Sequence, residues 1–106
     1  MKISVIVPTR NSGRTLAACL GSLRRQTHED VEIIVVDNAS TDDTPPIALQ
    51  LAHIIVDRGP ERSAQRNRGA WLASGEIVVF IDSDMVLEPT VLADLAATFA
   101  ARSEVG

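Results

Sequence analysis

The sequence predicts an α/β fold, with an open, mostly parallel sheet of about four strands and helices on both faces. Along the 106 residues, β-branched apolar runs of strand length alternate with segments of helical periodicity. The runs are apolar throughout most of their length, as expected of strands that a parallel sheet buries on both faces. Polar residues follow three of the runs directly, at the strand ends where open α/β sheets bind ligands.

The first predicted strand covers residues 3–7 and is ended by Pro8. A helix follows, and Asn11 or Ser12 can cap its N-terminus. Its apolar residues recur at intervals of four and three and mark one buried face: Leu16, Leu20 and Leu23. The single cysteine, Cys19, lies within this apolar pattern, which predicts a packing role and is consistent with a reducing compartment.

The second predicted strand covers residues 31–36 and is terminated by Asp37 and Asn38. After a polar turn, Thr44 precedes two prolines. A residue before proline is pushed out of the helical region and prolines are tolerated in a first helical turn, so Thr44 is predicted as an N-cap. The short helix that follows is expected to end near Ala52.

The second half of the chain repeats the alternation of strand and helix. A short strand over residues 53–57 is followed by a helix that opens at Ser63, with Gly75 as its C′ residue. The fourth strand covers residues 76–82, and Pro89 is predicted as the first residue of the last helix. That helix carries its apolar residues on one side: Leu92, Leu95, Ala96 and Phe99.

Right-handed strand–helix–strand units of this length predict the strand order 3-2-1-4. In that order the direction of winding reverses between the first and fourth strands, and ligands of open α/β sheets bind at the carboxyl ends beside such a point. Three polar clusters fall at carboxyl ends, namely residues 8–11, Asp37 and residues 82–84. The sequence therefore predicts one crevice lined by all three.

Composition narrows the range of ligands. A formal net charge of −4 gives no long-range attraction for nucleic acid or an anionic membrane surface, which favours a small ligand over either. No apolar segment is long enough to span a bilayer. Neither the G-x-G-x-x-G pattern nor the P-loop pattern occurs, which argues against a dinucleotide oxidoreductase and a P-loop NTPase.

Asp82 and Asp84 follow the fourth apolar run directly, separated by Ser83. If the strand continues, alternation points both carboxylates the same way, and two converging carboxylates repel unless a cation or a shared proton lies between them. Mg²⁺ and Mn²⁺ prefer oxygen ligands and often arrive with a substrate phosphate. The pair therefore predicts a site for a metal ion and a phosphate. A solvated turn is the simpler alternative. A phosphohydrolase with Asp82 as nucleophile is another, although no lysine follows Asp84.

Two further features fit a nucleotide ligand. A carboxylate at Asp37, the end of a buried strand, can accept a hydrogen bond from a ring N–H of a base, although capping is an alternative. Arginines crowd the start of the third helix, where cations are unfavourable unless an anion compensates them. Arg66 is the preferred anion ligand among them, whereas neutralisation by Glu61 and Asp57 on a solvated face is the alternative for each arginine singly.

Four blocks of the sequence, in this order and spacing, resemble a known family: SVIVPTRN at 4–11, VDNASTDDT at 36–44, SAQRNRG at 63–69 and GEIVVFIDSD at 75–84. Together they are similar to the nucleotide-binding half of an inverting family 2 glycosyltransferase with the A-type, Rossmann-like fold. The resemblance implies a nucleotide-diphospho-sugar donor, most often a UDP-sugar, and a Mg²⁺ or Mn²⁺ ion on its diphosphate. An acceptor hydroxyl on a glycan, a lipid-linked molecule or a small molecule would attack the sugar carbon.

The same resemblance implies roles for individual residues. Thr9 would border the base, Asp37 would pair with it, Arg66 would lie near the phosphates or the base, Asp82 near the ribose, and Asp84 would coordinate the metal together with Asp82. The complete set of donor-binding residues implied is Pro8, Thr9, Arg10, Asn11, Asp37, Asn38, Arg66, Asp82 and Ser83.

Family members continue well beyond the length of this chain, so residues 1–106 are expected to form one nucleotide-sugar-binding domain that ends before the acceptor half. The general base is expected C-terminal to Gly106, which leaves no catalytic residue in the chain and predicts no transfer by it alone. A non-catalytic nucleotide-sugar-binding module is the alternative. The expected location is the cytoplasm, at the inner face of the membrane for a full-length protein. Self-association is expected through the edge strand 76–82.

Overall fold

The computed structural model describes residues 1–105, with side chains up to Arg102. Within this range, four strands alternate with four helices: β1 (Ile3–Thr9), α1 (Leu16–Arg24), β2 (Val31–Asp37), α2 (Thr44–Leu51), β3 (Ile54–Asp57), α3 (Arg62–Leu72), β4 (Ile77–Phe80) and α4 (Val91–Val105). The strands form one parallel sheet in the order β3-β2-β1-β4, which confirms the predicted topology. No helix among these residues is long and apolar enough to cross a bilayer.

The register of the sheet aligns the carboxyl ends of its strands. Thr9 at the end of β1 lies opposite Asp37 at the end of β2, and Asp37 lies opposite Asp57 at the end of β3. On the other side of β1, the last paired residues are Ile6 and Phe80, so β4 leaves the sheet three residues before β1 ends. This early departure leaves the end of β1 unpaired on its β4 side, where the sequence predicts the crevice.

Helices cover both faces of the sheet, which explains why the strands are apolar on both sides. The larger cluster joins alternate residues of β1 and β2, such as Val5 and Ile33, to Leu20 of α1, Ala48 of α2 and Leu92 of α4. The smaller cluster lies on the opposite face under the end of α3, where three residues are buried: Ile6, Ile34 and Val36.

Pro8 does not end β1, contrary to the sequence prediction. The Ile81 amide donates to the Ile6 carbonyl at 3.1 Å, so the hydrogen-bonding groups of Ile6 face β4. Pro8, two residues later, faces the same side because hydrogen-bonding direction alternates along a strand. At that level β4 has already left the sheet, so the missing N–H of Pro8 ends the pairing with β4 while pairing with β2 continues to Thr9.

The predicted helix caps are also wrong. Neither α1 nor α2 has a side-chain cap hydrogen bond. The Asn11 amide oxygen accepts from the Thr41 amide at 2.9 Å, and the Thr44 hydroxyl, in the first residue of α2, accepts from the Ser12 amide at 2.7 Å. The side chains expected to cap helices therefore join one loop to the next across the carboxyl edge of the sheet.

The predictions for the last strand and helix need correction in their bounds. β4 covers four residues rather than 76–82, and α4 begins at Val91 rather than at Pro89. Gly75 is not a C′ residue, since α3 ends in an extended Ala73. A side chain at Gly75 would place its Cβ 2.6 Å from the Ser4 amide nitrogen, so this glycine permits close approach to β1.

Candidate functional site

The loops after β1, β2 and β4 meet at the carboxyl edge of the sheet. The Thr9 hydroxyl donates to Asp37 Oδ1 at 2.6 Å, which joins the ends of β1 and β2. The Ser83 hydroxyl donates to Ser12 Oγ at 2.9 Å, which joins the loop after β4 to the loop after β1. The structure therefore brings together the three polar clusters that the sequence places at carboxyl ends.

Asp37 is 4% exposed and has most of its acceptor capacity filled. Its Oδ1 accepts from the Thr9 and Ser40 hydroxyls, both at 2.6 Å, and its Oδ2 accepts from the Ser40 amide at 2.9 Å. A carboxylate offers about four acceptor positions, so one position on Oδ2 remains. Asp37 lines a cleft of about 260 Å³ whose other walls are largely apolar: Ala39, Pro45, Leu49, Ile55 and Val56.

Two residues at this edge adopt left-handed backbone conformations without being glycine. Asn11 has φ 48° and Ala39 has φ 46°. The backbone N–H of Asn11 donates to Ser40 Oγ at 2.8 Å, and the backbone N–H of Ala39 donates to Asp57 Oδ1 at 3.2 Å. Such conformations cost about 1–3 kcal/mol and persist where surrounding bonds hold them, as is frequent at binding sites.

Arg10 and Asn38 link the loops that border Asp37. Arg10 Nη1 donates to the Asn38 carbonyl at 2.8 Å, and Asn38 Nδ2 donates to the Pro60 carbonyl at 3.1 Å. The backbone N–H of Asn38 also donates to the Thr9 carbonyl at 2.9 Å, which continues the pairing of β1 with β2. Pro8 is buried within β1. Among the donor-binding residues that the resemblance implies, Arg10 and Asn38 therefore join the loops to one another.

Gln65 is a residue that the sequence reasoning missed. Its side chain is buried, and its Nε2 donates to the carbonyls of Thr9 at 2.9 Å and Val36 at 2.8 Å. It therefore fixes α3 to the ends of both central strands. Helical periodicity could have found it, because Gln65, Gly69 and Leu72 fall on the face of α3 that packs against the sheet.

The acidic pair lies in a turn and not in a continuing strand, contrary to the sequence expectation. The Met85 amide donates to the Asp82 carbonyl at 3.0 Å, so residues 82–85 form a turn directly after Ile81. Strand alternation does not apply to Asp82 and Asp84 as a result. The Asp82 side chain is half-exposed and Asp84 is exposed.

Arg62 is the arginine that contacts the acidic turn, at Asp82. Its Nη1 lies 3.4 Å from Asp82 Oδ1, an ion pair between the first turn of α3 and the turn after β4. Arg66 is exposed one helical turn later, on the same face of α3 as Arg62. Arg68 lies over the Trp71 ring, with its guanidinium carbon 5.1 Å from the ring centroid. The arginines that the sequence groups together thus have different surroundings.

Cys19 lies beneath the acidic turn, with its Sγ 3.8 Å from the Asp82 carbonyl. Burial, together with a smaller contribution from the negative charge of Asp84, raises the pKa of the thiol to about 11. The thiol is therefore protonated near neutral pH. Its place within the larger core cluster agrees with the packing role predicted from the sequence.

The residues at the acidic turn fit a hard divalent cation that arrives with its ligand. Asp82 and Asp84 supply carboxylate oxygens and Ser83 a hydroxyl, which is the donor chemistry of Mg²⁺ and Mn²⁺ sites. Among the described side chains, which run to Arg102, no group of three or more His, Cys, Asp or Glu residues could hold a metal ion. A cation here would need further oxygen ligands, and those of a phosphate are suitable.

Comparison with known proteins gives consistent matches. The model of the family described as "Glycosyl transferase family 2" matches residues 4–105. An uncharacterized glycosyltransferase of a Nostoc species is 34% identical over 113 aligned residues, covering 100% of this chain and 35% of that protein.

Solved structures with more than 30% sequence identity share the fold, and two of them show the extent of the match. TarS of Staphylococcus aureus in complex with UDP-GlcNAc has a TM-score of 0.80 and 36% identity, covering 92% of this chain and 30% of that one. A mannosyltransferase of Pyrobaculum calidifontis in complex with GDP-Man and Mn²⁺ has a TM-score of 0.70 and 33% identity, covering 80% and 28%. The chain spans about a third of the length of the relatives that it matches.

Proposed function

The chain belongs to glycosyl transferase family 2, and from that premise we propose that it is the donor-binding part of an inverting glycosyltransferase. The proposed donor is a nucleotide-diphospho-sugar, and the acceptor is a hydroxyl of unspecified origin. One observation carries the proposal: the Thr9–Asp37 pair and the acidic turn 82–84 lie on adjoining loops at the carboxyl ends of the strands, joined by the Ser12–Ser83 hydrogen bond. That arrangement offers a place for a base at one end and for a diphosphate at the other.

The proposed base is uracil, because of the acceptor capacity left on Asp37. Three of its roughly four acceptor positions are already filled by protein donors. The remaining position can take one N–H, which is what the pairing edge of uracil presents. Guanine presents two neighbouring N–H donors, and the second would lack a partner. The largely apolar cleft beside Asp37 suits the ring faces.

The proposed diphosphate site is the acidic turn. Asp82 and Asp84 would hold Mg²⁺ or Mn²⁺, and Arg66 would lie near the nucleotide phosphates or the base. A bound divalent cation supplies charge neutralisation for the departing nucleoside diphosphate. The general base expected C-terminal to Gly106 falls outside the described residues, and none of residues 1–105 is proposed for that role.

A thermal-shift experiment tests the proposal on the chain as it stands. UDP and GDP are added with and without Mn²⁺ to the wild type, to Asp84→Ala and to a matched control, Asp30→Ala. The exposed Asp30 carboxylate of the control lies at the amino ends of the strands, opposite the proposed site. UDP at about a hundred times its Kd adds roughly 2.7 kcal/mol to stability. For a domain of this size each kcal/mol raises the midpoint by about 4 °C or more.

The expected result is a shift of roughly 10 °C with UDP and Mn²⁺ in the wild type and in Asp30→Ala, and a much smaller shift in Asp84→Ala. GDP is expected to give a smaller shift than UDP. Absence of any nucleotide shift in the wild type, or equal shifts for all three proteins, would overturn the proposal. Transfer of labelled sugar by this chain alone would contradict the expectation that the general base lies C-terminal to Gly106.

A further inference from the structure

One ion pair crosses the crevice where the diphosphate is proposed to bind. It joins Arg62, in the first turn of α3, to Asp82, in the turn after β4, with Nη1 and Oδ1 3.4 Å apart. The side chains are 55% and 50% exposed, so solvent screens their attraction and little is lost when they separate. The pair is therefore easily exchanged for other partners.

Resting on the proposed function, we propose that Arg62 is a positioning residue that exchanges partners when the donor binds. In the free chain its guanidinium holds Asp82, and in the complex it contacts the diphosphate while Asp82 contacts the divalent cation. Binding of the cation and binding of the nucleotide then favour each other. The cation binds Asp82 and leaves Arg62 free for the diphosphate, while the diphosphate binds Arg62 and leaves Asp82 free for the cation. Nothing in the family resemblance assigns a role to Arg62.

The position of Arg62 favours this exchange. α3 has no acidic residue in its first turn, and the carboxylate of its N-cap residue, Glu61, accepts from the Ser63 hydroxyl, so a cation at Arg62 is opposed by the helix dipole and gains from a further anion. A guanidinium has five N–H donors, and its contact with Asp82 uses one nitrogen at 3.4 Å, a distance longer than a good charge-assisted hydrogen bond. A diphosphate, with several anionic oxygens, can satisfy more of those donors.

The backbone near Arg62 is fixed relative to the crevice. Gln65, less than one helical turn later, is buried and donates to the Thr9 and Val36 carbonyls. The first turn of α3 therefore cannot move far from the strand ends. Partner exchange needs only a change in the Arg62 side chain, which is long and half-exposed.

The exchange predicts effects of opposite sign for Arg62→Gln. Without the arginine, Asp82 is free in the unliganded chain, so Mn²⁺ alone should bind about 2- to 5-fold more tightly, the range expected of a screened ion pair. UDP in the presence of saturating Mn²⁺ should bind about tenfold more weakly, since a charge-assisted contact to phosphate is lost. A purely structural ion pair would predict weaker binding of both ligands.

The test measures the two affinities separately in four proteins. Binding of Mn²⁺ alone is followed from the loss of the free-ion electron paramagnetic resonance signal, and binding of UDP at saturating Mn²⁺ is followed by calorimetry. The proteins are wild type, Arg62→Gln, Arg62→Lys and Arg68→Gln. Arg68→Gln is the matched control, because it removes the same charge from the same helix at a residue that stacks on Trp71. Circular dichroism verifies that each variant is folded.

We expect Arg62→Gln alone to show tighter Mn²⁺ and weaker UDP, with Arg62→Lys between it and the wild type and Arg68→Gln like the wild type. Unchanged or weaker Mn²⁺ binding in Arg62→Gln overturns the inference, and so does unchanged UDP binding. If the wild type binds UDP with Mn²⁺ but Arg62→Gln does not show both tighter Mn²⁺ binding and weaker UDP binding, the partner exchange is wrong and the proposed function stands. If the wild type binds no UDP, the proposed function fails and the inference falls with it.

Discussion

At the scale of single residues, four carboxylates of this domain differ in burial and in their partners. Asp37 and Glu32 are buried and accept several hydrogen bonds from neighbouring protein groups. Asp84 is exposed and Asp82 has only a screened ion pair. Asp37 and Glu32, with their fixed donors, organise the structure around them, whereas Asp82 and Asp84 are available to a cation. The residue type alone does not distinguish these uses.

Asp37→Asn tests the carboxylate that we propose to contact the base. The substitution keeps the shape of the side chain, but one oxygen becomes an NH₂ group facing the Ser40 amide or the two hydroxyl donors. We expect a loss of about 1–3 kcal/mol in the free energy of unfolding and a loss of preference for UDP over GDP. Denaturant melts and UDP and GDP titrations measure both, and unchanged nucleotide preference would contradict the proposed contact.

Glu32→Gln tests a buried carboxylate far from the proposed site. Burial of Glu32 acts to raise its pKa, but hydrogen bonds from Ser4 and Ser74, with a smaller contribution from the charge of Lys2, outweigh burial and hold the pKa below its usual value. Because the pKa is lowered on folding, the charged group stabilises the fold above its unfolded pKa of about 4.3. That stabilisation is lost as pH falls through the folded pKa.

The expected result for Glu32→Gln is therefore a pH-dependent difference from the wild type. Between pH 6 and pH 8 the variant should be less stable by a constant amount of about 1–2 kcal/mol. The difference should narrow as pH falls below about 4. Urea melts across this range measure it, with Glu29→Gln as an exposed control. A difference that persists unchanged into acid would show that the charge of Glu32 contributes nothing.

At the scale of elements, the sequence predicted the type and order of every strand and helix in the described chain. The strand order 3-2-1-4 followed from apolar runs and connection lengths, which are properties of local sequence. The errors lie where tertiary contacts decide. β1 continues through Pro8 because β4 has ended beside it, and β4 itself is four residues long. Neither fact can be read from one strand alone.

The candidate site shows the same division between features that local sequence determines and features that tertiary contacts determine. The clusters at residues 8–11, Asp37 and residues 82–84 were predicted to meet, and their loops do meet through hydrogen bonds. The contacts of Arg62 and Gln65 were not predicted, because they depend on how α3 lies against the strand ends. Periodicity indicates which face of a helix is buried, but not which backbone groups that face will contact.

Gly69→Ala tests the packing of α3 on β1. A Cβ at Gly69 would overlap the Ile6 side chain, so α3 would have to move away from the sheet, and Gln65 and Arg62 would move with it. We expect a loss of about 1–3 kcal/mol in the free energy of unfolding and weaker nucleotide binding. Thermal melts and UDP titration measure these effects.

Gly21→Ala is the matched control for Gly69→Ala. Gly21 also lies inside a helix, but the atom nearest to an added Cβ is Arg25 Nη1, at 3.1 Å, at the end of a flexible side chain. Alanine is favoured over glycine in a helix by about 0.5–1 kcal/mol, so this variant should be as stable as the wild type or more stable. Equal effects of the two substitutions would contradict the proposed contact of Gly69 with Ile6.

At the scale of the whole molecule, the covering of the sheet is uneven. Val78 and Phe80 of β4 lie opposite Ser4 and Ile6 of β1, on the face that α3 packs against, but they remain 38% and 45% exposed. β4 is also an edge strand, with β1 on one side only within the described sheet. An exposed edge beside exposed apolar side chains favours pairing with another chain.

We therefore predict that this chain self-associates through β4 in solution. Because the edge covers only four residues, the association should be weak and its extent should depend on concentration. Sedimentation velocity over a dilution series measures it in the wild type and in the double variant Val78→Lys with Phe80→Lys, which should remain monomeric because charges on the strand repel a second copy. Leu49→Lys, which changes an exposed apolar residue of α2, should associate like the wild type. A wild-type monomer at the highest soluble concentration would contradict the prediction, and equal association of all three proteins would place the contact elsewhere.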